Sequence, residues 1–369
     1  MKIGIAGAGL VGRLAAWRLA LHGHQVSVFD PSPGPLRRPG SDSGPWPAAG
    51  WTAAGMLSPV AELETADRDV FELGLRSLDL WGDYARELTA DSAADSAAGT
   101  AAAAADPLGL RRSGSLLLAY GSDAGSARRI VDQLTARAPV GHRPQPIELA
   151  RLRELEPDIH GPALAWQLAG EGQLDPTRAL PALASAAGRA GATWFWGRAV
   201  EVGDGWLRPS GDPAGGRQDF DLVVDARGVG ARPDLKVRGV RGEIFWLHAP
   251  GVRLGRPVRL LHPRHRVYLV PRAGDLIVVG ASEIESEDRS PASLRSTVEL
   301  LAAAHSVMPA LAEARVVRSD VNLRPALPDN LPMIEREGAL VRINGLFRHG
   351  WLIAPALLER ALAPWLRVK

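Results

Sequence analysis

Apolar and polar positions along this chain of 369 residues follow two periods, and their order predicts an α/β protein. Met1-Lys2-Ile3-Gly4-Ile5-Ala6 is a short apolar run that reads as a buried strand. Residues 10–22 read as an amphipathic helix. Gln25-Val26-Ser27-Val28-Phe29 reads as a second strand that ends in Asp30. Residues 31–50 are rich in Pro, Gly and Ser and predict a loop. Phe71, Leu75, Leu78, Trp81, Ala85 and Leu88 recur at three- and four-residue steps, so a helix is expected over 67–89. Residues 90–106 are mostly Ala, Ser, Asp and Gly and read as a mobile surface insertion, although the Ala run also suits a helix.

Further along, 115–120 predicts a strand and 126–137 a helix. A helix over 176–190 has Asp175 as N-cap, Pro176 at its first position and Gly191 as its stop. Residues 193–202 read as one or two strands, and Leu222-Val223-Val224-Asp225 as a buried one that runs into Gly228. After Val240 the texture changes. Three short apolar runs, 242–247, 267–270 and 276–279, are separated by turns and suggest an antiparallel sheet. A helix is expected over 294–304, a strand from Arg315 towards Arg324, a strand over 340–344 and a closing helix over 351–366. No internal repeat is visible. These elements predict a discontinuous Rossmann-like domain from 1–60, 150–235 and 325–369. A mixed or antiparallel-sheet domain from 61–149 and 236–324 is inserted into it.

The opening carries the first chemistry. Gly7, Gly9 and Gly12 stand between the first strand and the helix that Leu10 and Val11 begin. Gly7 permits a tight turn, Gly9 lets a pyrophosphate approach the backbone, and Gly12 lets helix and strand pack closely. The free N–H groups at the helix start favour phosphate. Asp30 stands where a carboxylate accepts hydrogen bonds from ribose hydroxyls. A GxGxxG alone is a weak signal among 40 glycines; inside strand–helix–strand–acid it reads as an adenine-dinucleotide site.

Composition narrows the rest. The formal net charge is only +2 and no basic stripe is present, so nucleic acid is not expected as a partner. Cysteine is absent, which excludes disulfides, a thiolate nucleophile, a Cys-rich zinc site and a flavin tethered through sulfur. The histidines lack ligand spacing, so no metal is expected. No apolar run is long enough to span a bilayer. The sequence starts directly on a strand without a signal-peptide pattern, and a cytoplasmic location is expected.

Five segments together resemble the FAD-dependent amine oxidases of the D-amino-acid oxidase group, and most nearly the glycine oxidases of the thiamine pathway. They are the glycine motif with Asp30; Trp51-Thr52-Ala53-Ala54-Gly55-Met56-Leu57-Ser58-Pro59; Arg241-Gly242-Glu243; and Tyr268-Leu269-Val270-Pro271-Arg272 with Val279-Gly280-Ala281-Ser282-Glu283. The fifth is a C-terminal pair, 323–332 and Gly345-Leu346-Phe347-Arg348-His349-Gly350-Trp351-Leu352. The resemblance implies a D-amino-acid oxidase-like, two-domain fold holding FAD non-covalently. It implies that residues 51–56 run beside the isoalloxazine ring, with Met56 against the ring or in the pocket. It places Arg324 as the clamp on a substrate carboxylate, with Tyr268 and Arg348 beside it. An Arg fork suits that task because it makes two parallel hydrogen bonds. Val200 is expected to meet adenine through its backbone, and Gly228 to lie near the cofactor. Residues 345–352 lead into a helix N-terminus facing the flavin.

The implied activity is oxidation of glycine, other small amines or D-amino acids by O2, giving a 2-oxo acid, ammonia and hydrogen peroxide. Alternatives left open are a D-amino-acid or 2-hydroxy-acid dehydrogenase of the same fold, and a flavoprotein that modifies a partner protein. A homo-oligomer is also left open. Four positions depart from the family pattern. Gly50 replaces a frequent Ser, Glu335 a common Gly, Leu346 a frequent His and His349 a frequent Asn. The Glu335 change casts doubt on a flavin contact, and the last two are expected to alter the substrate pocket.

Overall fold

The computed structural model describes all residues except 38–45, 98–105, 212–215, 263–265 and 367–369. Its first layer is a six-stranded sheet. The order is Met333–Glu337, Leu340–Asn344, Leu222–Asp225, Lys2–Ala6, Gln25–Asp30 and Thr193–Trp196. All neighbours are parallel except the first pair. Parallel strands are buried on both faces, which is why these runs are continuously apolar. Helices Leu10–Leu21, Pro176–Arg189 and Gly350–Leu362 pack together against this sheet, and Arg68–Ala97 lies along the last of them. Leu14, Trp17, Leu180, Leu183, Ile353 and Leu357 are buried in the shared core.

The second layer is an eight-stranded sheet: Arg315–Ala326, Arg238–His248, Leu276–Gly280, Arg266–Arg272, Val258–Leu261, Ser115–Ala119, Leu164–Leu168 and Gln145–Ile147. Every pair is antiparallel except Val258–Leu261 with Ser115–Ala119, so the sheet is mixed. Helix Leu294–Val307 covers one face through Leu300, Ala304 and Val307.

The hydrophobic pattern located the main helices and the central strands. It missed Met333–Glu337, an edge strand whose sequence MIERE carries three charges and no clear alternation. The helix expected to stop at 89 continues to Ala97, into the Ala-rich stretch, whose remainder at 98–105 lies outside the described residues. The loop expected over 31–50 ends in a short helical turn, Ala49–Thr52, with 38–45 outside the described residues. The closing helix ends at Leu362, four residues before the expected 366.

Leu164–Leu168 pairs with Ser115–Ala119 in the eight-stranded sheet, so the limit at 150 cuts through that sheet. Helix Arg68–Ala97 contributes Leu73, Leu78, Trp81 and Leu88 to the core of the six-stranded sheet. We propose that 68–97 belongs with the nucleotide domain and that 115–168 belongs with the inserted one.

The closest packing between strand and helix is at Gly12. A Cβ there would stand 1.8 Å from the Gly7 carbonyl oxygen. Gly12→Ala therefore has to push the first helix off its turn. Thermal denaturation is expected to show a melting temperature lower by at least about 4 °C.

Candidate active site

A cavity of about 1060 Å³ opens between the two sheets. Its nucleotide-domain side is lined by Gly7, Gly9, Leu10, Val11 and Asp30. Gly7 has φ 99°, a left-handed conformation that glycine adopts without strain. The first helix has no side-chain cap and no acidic residue in its first turn, so N–H groups at its start remain open to a ligand. Asp30 accepts hydrogen bonds from Ala8 N at 2.6 Å and Ser32 N at 2.8 Å. It shapes the glycine turn as well as lining the cavity. Val200 and Gly228 line the cavity too.

Thr52, Ala53, Ala54, Gly55 and Met56 form another stretch of wall, and Phe347, Arg348, His349, Gly350, Trp351 and Leu352 another. Three expected cofactor residues do not reach the cavity. Gly12 serves packing, as above. Trp51 is buried, with its ring 5.5 Å from the Arg13 guanidinium. Gly345 closes a tight turn, where a Cβ would stand 2.7 Å from Leu331 O.

The eight-stranded sheet supplies the opposite wall. Arg324 sits on Arg315–Ala326 opposite Val240. Its Nη1 donates to Arg241 O at 3.2 Å and its Nη2 to Ser282 O at 3.0 Å. Among the described residues no carboxylate pairs with it. Burial pulls its pKa down, and the nearby Tyr268 and Glu283 oppose that pull. Tyr268 lines the same cavity, and burial pushes its hydroxyl up, so it stays protonated at neutral pH. Two glycines leave room for these groups. A Cβ on Gly242 would lie 2.5 Å from Arg324 Cζ, and one on Gly280 would lie 2.7 Å from Tyr268 Oη.

Arg348 is pinned rather than free. Its Nε lies 3.0 Å from Glu62 Oε2, and its Nη1 lies 3.2 Å from Glu283 Oε2. Glu62 also takes Arg259 Nη2 at 2.8 Å and His349 Nε2 at 3.0 Å. Burial alone would raise the Glu62 carboxyl. Arg348, Arg259 and His349 outweigh it and hold the group well below the usual carboxylate range. The sequence reading named neither Glu62 nor Arg259. The available signal was an acid inside the apolar run Pro59-Val60-Ala61-Glu62-Leu63.

The profile of the DAO family, FAD dependent oxidoreductase, matches residues 2–359. A protein of Rhizobium etli (strain CFN 42), named as the thiamine biosynthesis oxidoreductase ThiO, is 37% identical over 362 residues. The match covers 97% of this chain and 94% of that one. The chain belongs to the DAO family of FAD-dependent oxidoreductases. The crystal structure of glycine oxidase from Geobacillus kaustophilus aligns with TM-score 0.77 and 27% identity, over 99% of this chain and 98% of that one. Iminodiacetate oxidase from Chelativorans sp. BNC1 shares the fold, with TM-score 0.78 at 23% identity, over 97% and 94%. The two-domain FAD-binding fold is thus that of the DAO family.

The residues present fit FAD. The glycine turn is a cradle that a Cβ would fill: one on Gly7 would lie 2.6 Å from Ala226 O. The start of the first helix lines the cavity and has no acidic residue in its first turn. The departures from the family pattern sort by position. Glu335 is exposed, pairs with Arg342 at 3.1 Å and lies on the edge strand, so it disturbs no cavity wall. Gly50 accepts a hydrogen bond from Trp351 Nε1 at 3.0 Å through its carbonyl. Leu346 and His349 both line the cavity, where His349 is committed to Glu62. Among the described residues no helix is long and apolar enough to cross a membrane.

A carboxylate whose folded pKa is depressed stabilises above its unfolded pKa and loses that stability as pH falls through the folded value. Glu62→Gln removes the shared anion of three partners and is expected to cost about 3 kcal/mol. Thermal denaturation across pH checks the sign. The gap to wild type should be constant above about pH 5 and narrow only below about pH 4.

Proposed function

We propose that this flavoprotein oxidises glycine or other small amines, among them D-amino acids, with O2, and serves thiamine biosynthesis in the cytoplasm. The observation that carries this reading is Arg324, a half-buried guanidinium with no carboxylate partner among the described residues, lining the cofactor cavity beside Tyr268. A substrate carboxylate meets that charge with two parallel hydrogen bonds. Tyr268 remains a neutral donor to the same anion. Arg348 borders the pocket as a fixed wall, because Glu62 and Glu283 restrain both ends of its guanidinium.

The names of the relatives, a ThiO and a glycine oxidase, support an amine as donor. FAD would accept the two electrons of the Cα–H bond and pass them to O2. Residues 52–56 and 347–352 would border its ring, and Gly7, Gly9, Leu10 and Val11 its pyrophosphate. Asp30 would border its ribose, Val200 its adenine, and Gly228 the cofactor as well. The protein's contribution is to hold the amine's carboxylate so that its Cα faces the ring. For glycine the balance is one O2 and one water consumed, with glyoxylate, ammonia and hydrogen peroxide released.

Purified protein incubated with glycine, sarcosine and D-alanine is expected to bleach anaerobically and to release peroxide in air. No bleaching with any of them would sink the reading, whereas dye reduction without O2 uptake would mark a dehydrogenase. Arg324→Met is expected to lower kcat/KM by at least about 100-fold, and Tyr268→Phe by about tenfold. Steady-state peroxide assays on FAD-saturated enzyme measure both.

A further inference from the structure

Arg13 follows the last glycine of the motif and is only 2% exposed. Its side chain runs back along the helix towards the glycine turn, as helical side chains do. Its Nε donates to Ala8 O at 2.8 Å, and its Nη1 donates to Leu180 O at 2.7 Å. The guanidinium is flanked by two indole rings, Trp51 and Trp196, each with its centroid 5.5 Å away. Among the described residues no carboxylate forms an ion pair with it. Burial pulls its pKa from 12.5 to about 10, against the attraction of Asp30, so it stays charged at neutral pH.

A buried cation satisfied only by carbonyls and ring faces is costly unless an anion lies near. The anion that this cavity is built for is the cofactor pyrophosphate, at the start of the same helix. Ala8 links the two. Asp30 takes its N–H at 2.6 Å, and Arg13 holds its carbonyl at 2.8 Å. The peptide units on either side of the Ala8 Cα are therefore each held by one side chain, and their orientation sets which groups of the turn face the cavity. Trp51 begins the 51–56 stretch, so the same guanidinium also ties the glycine turn to the flavin-side wall.

We propose that Arg13 is a positioning residue for the pyrophosphate of FAD: it fixes the glycine turn through Ala8 and adds a full positive charge behind the helix start. It touches no ligand itself, since it does not line the cavity. The proposal rests on the family cofactor and not on the identity of the amine, so it stands or falls separately from the substrate reading.

The test is calorimetric titration of the full chain, stripped of flavin, with FAD, ADP and adenosine. Arg13→Met is expected to weaken FAD and ADP about thirtyfold, the effect of one charge lost at several ångströms in a medium of intermediate dielectric. Adenosine, which lacks the pyrophosphate, should change by less than about twofold. Arg13→Lys keeps the charge but not the fork, and should recover a large part of the ADP affinity. ADP binding by Arg13→Met at wild-type strength would overturn the proposal. So would an equal loss of ADP and adenosine, which would make Arg13 a packing residue only. If Arg13→Met does not fold, Arg13→Lys decides. ADP weakened about three- to tenfold with adenosine unchanged supports the role, and wild-type ADP affinity overturns it.

Discussion

A guanidinium partly withdrawn from water without a counter-anion raises the free energy of the fold, and Arg324 is kept in that condition. Its two carbonyl partners fix the plane of the fork but do not neutralise it. The deficit is local and directional, and a small carboxylate in the cavity removes it. Arg348, on the closing-helix side, shows the contrasting solution. Glu62 and Glu283 neutralise it within the chain. One arginine thus remains available to a ligand because another has been provided with acids of its own.

That division depends on how two sheets meet. The six-stranded sheet brings a helix start and a glycine turn to one side of the cavity, and the eight-stranded sheet brings Tyr268 and Arg324 to the other. Neither wall works if side chains intrude. Gly242 and Gly280 occupy the places where a methyl group would displace the guanidinium and the phenol. Behind Arg324, the buried pair Arg241–Glu243 at 2.6 Å secures the strand that carries its carbonyl acceptor.

The parts of the molecule legible in sequence are those whose cause is local. The opening strand, helix and strand follow from continuous apolar runs and three glycines within six positions. Asp175 was readable as an N-cap, and it accepts from Thr177 N at 2.9 Å. The Glu62 cluster was not readable, because its logic lies in contacts between residues about two hundred positions apart, such as Glu62 with Arg259. Trp51 shows the converse. Its motif suggested the cofactor, yet its ring packs on Arg13, a residue that a pattern of glycines passes over. Leu164–Leu168 is another such case, since only its pairing with Ser115–Ala119 places it in the eight-stranded sheet.

Charge balance at the substrate end then constrains what the cavity accepts. Among the described residues Arg259 and Arg348 pair with Glu62, and Arg348 also with Glu283, whereas Arg324 has no carboxylate partner. A ligand's single carboxylate meets Arg324 without displacing an acid of the chain. A second acid group would have to displace Glu62 or Glu283 from Arg348. Glu62 is buried and shared by three partners, whereas Glu283 is exposed and holds Arg348 through one contact at 3.2 Å. The wall therefore yields at Glu283 before it yields at Glu62. Leu346 and His349 line the same cavity. His349 strengthens the Glu62 side by its bond at 3.0 Å, and Leu346 adds an apolar face. Among the described residues, Arg324 is thus a guanidinium of this wall that a carboxylate meets without displacing an acid of the chain, whereas Arg348 is already held by two.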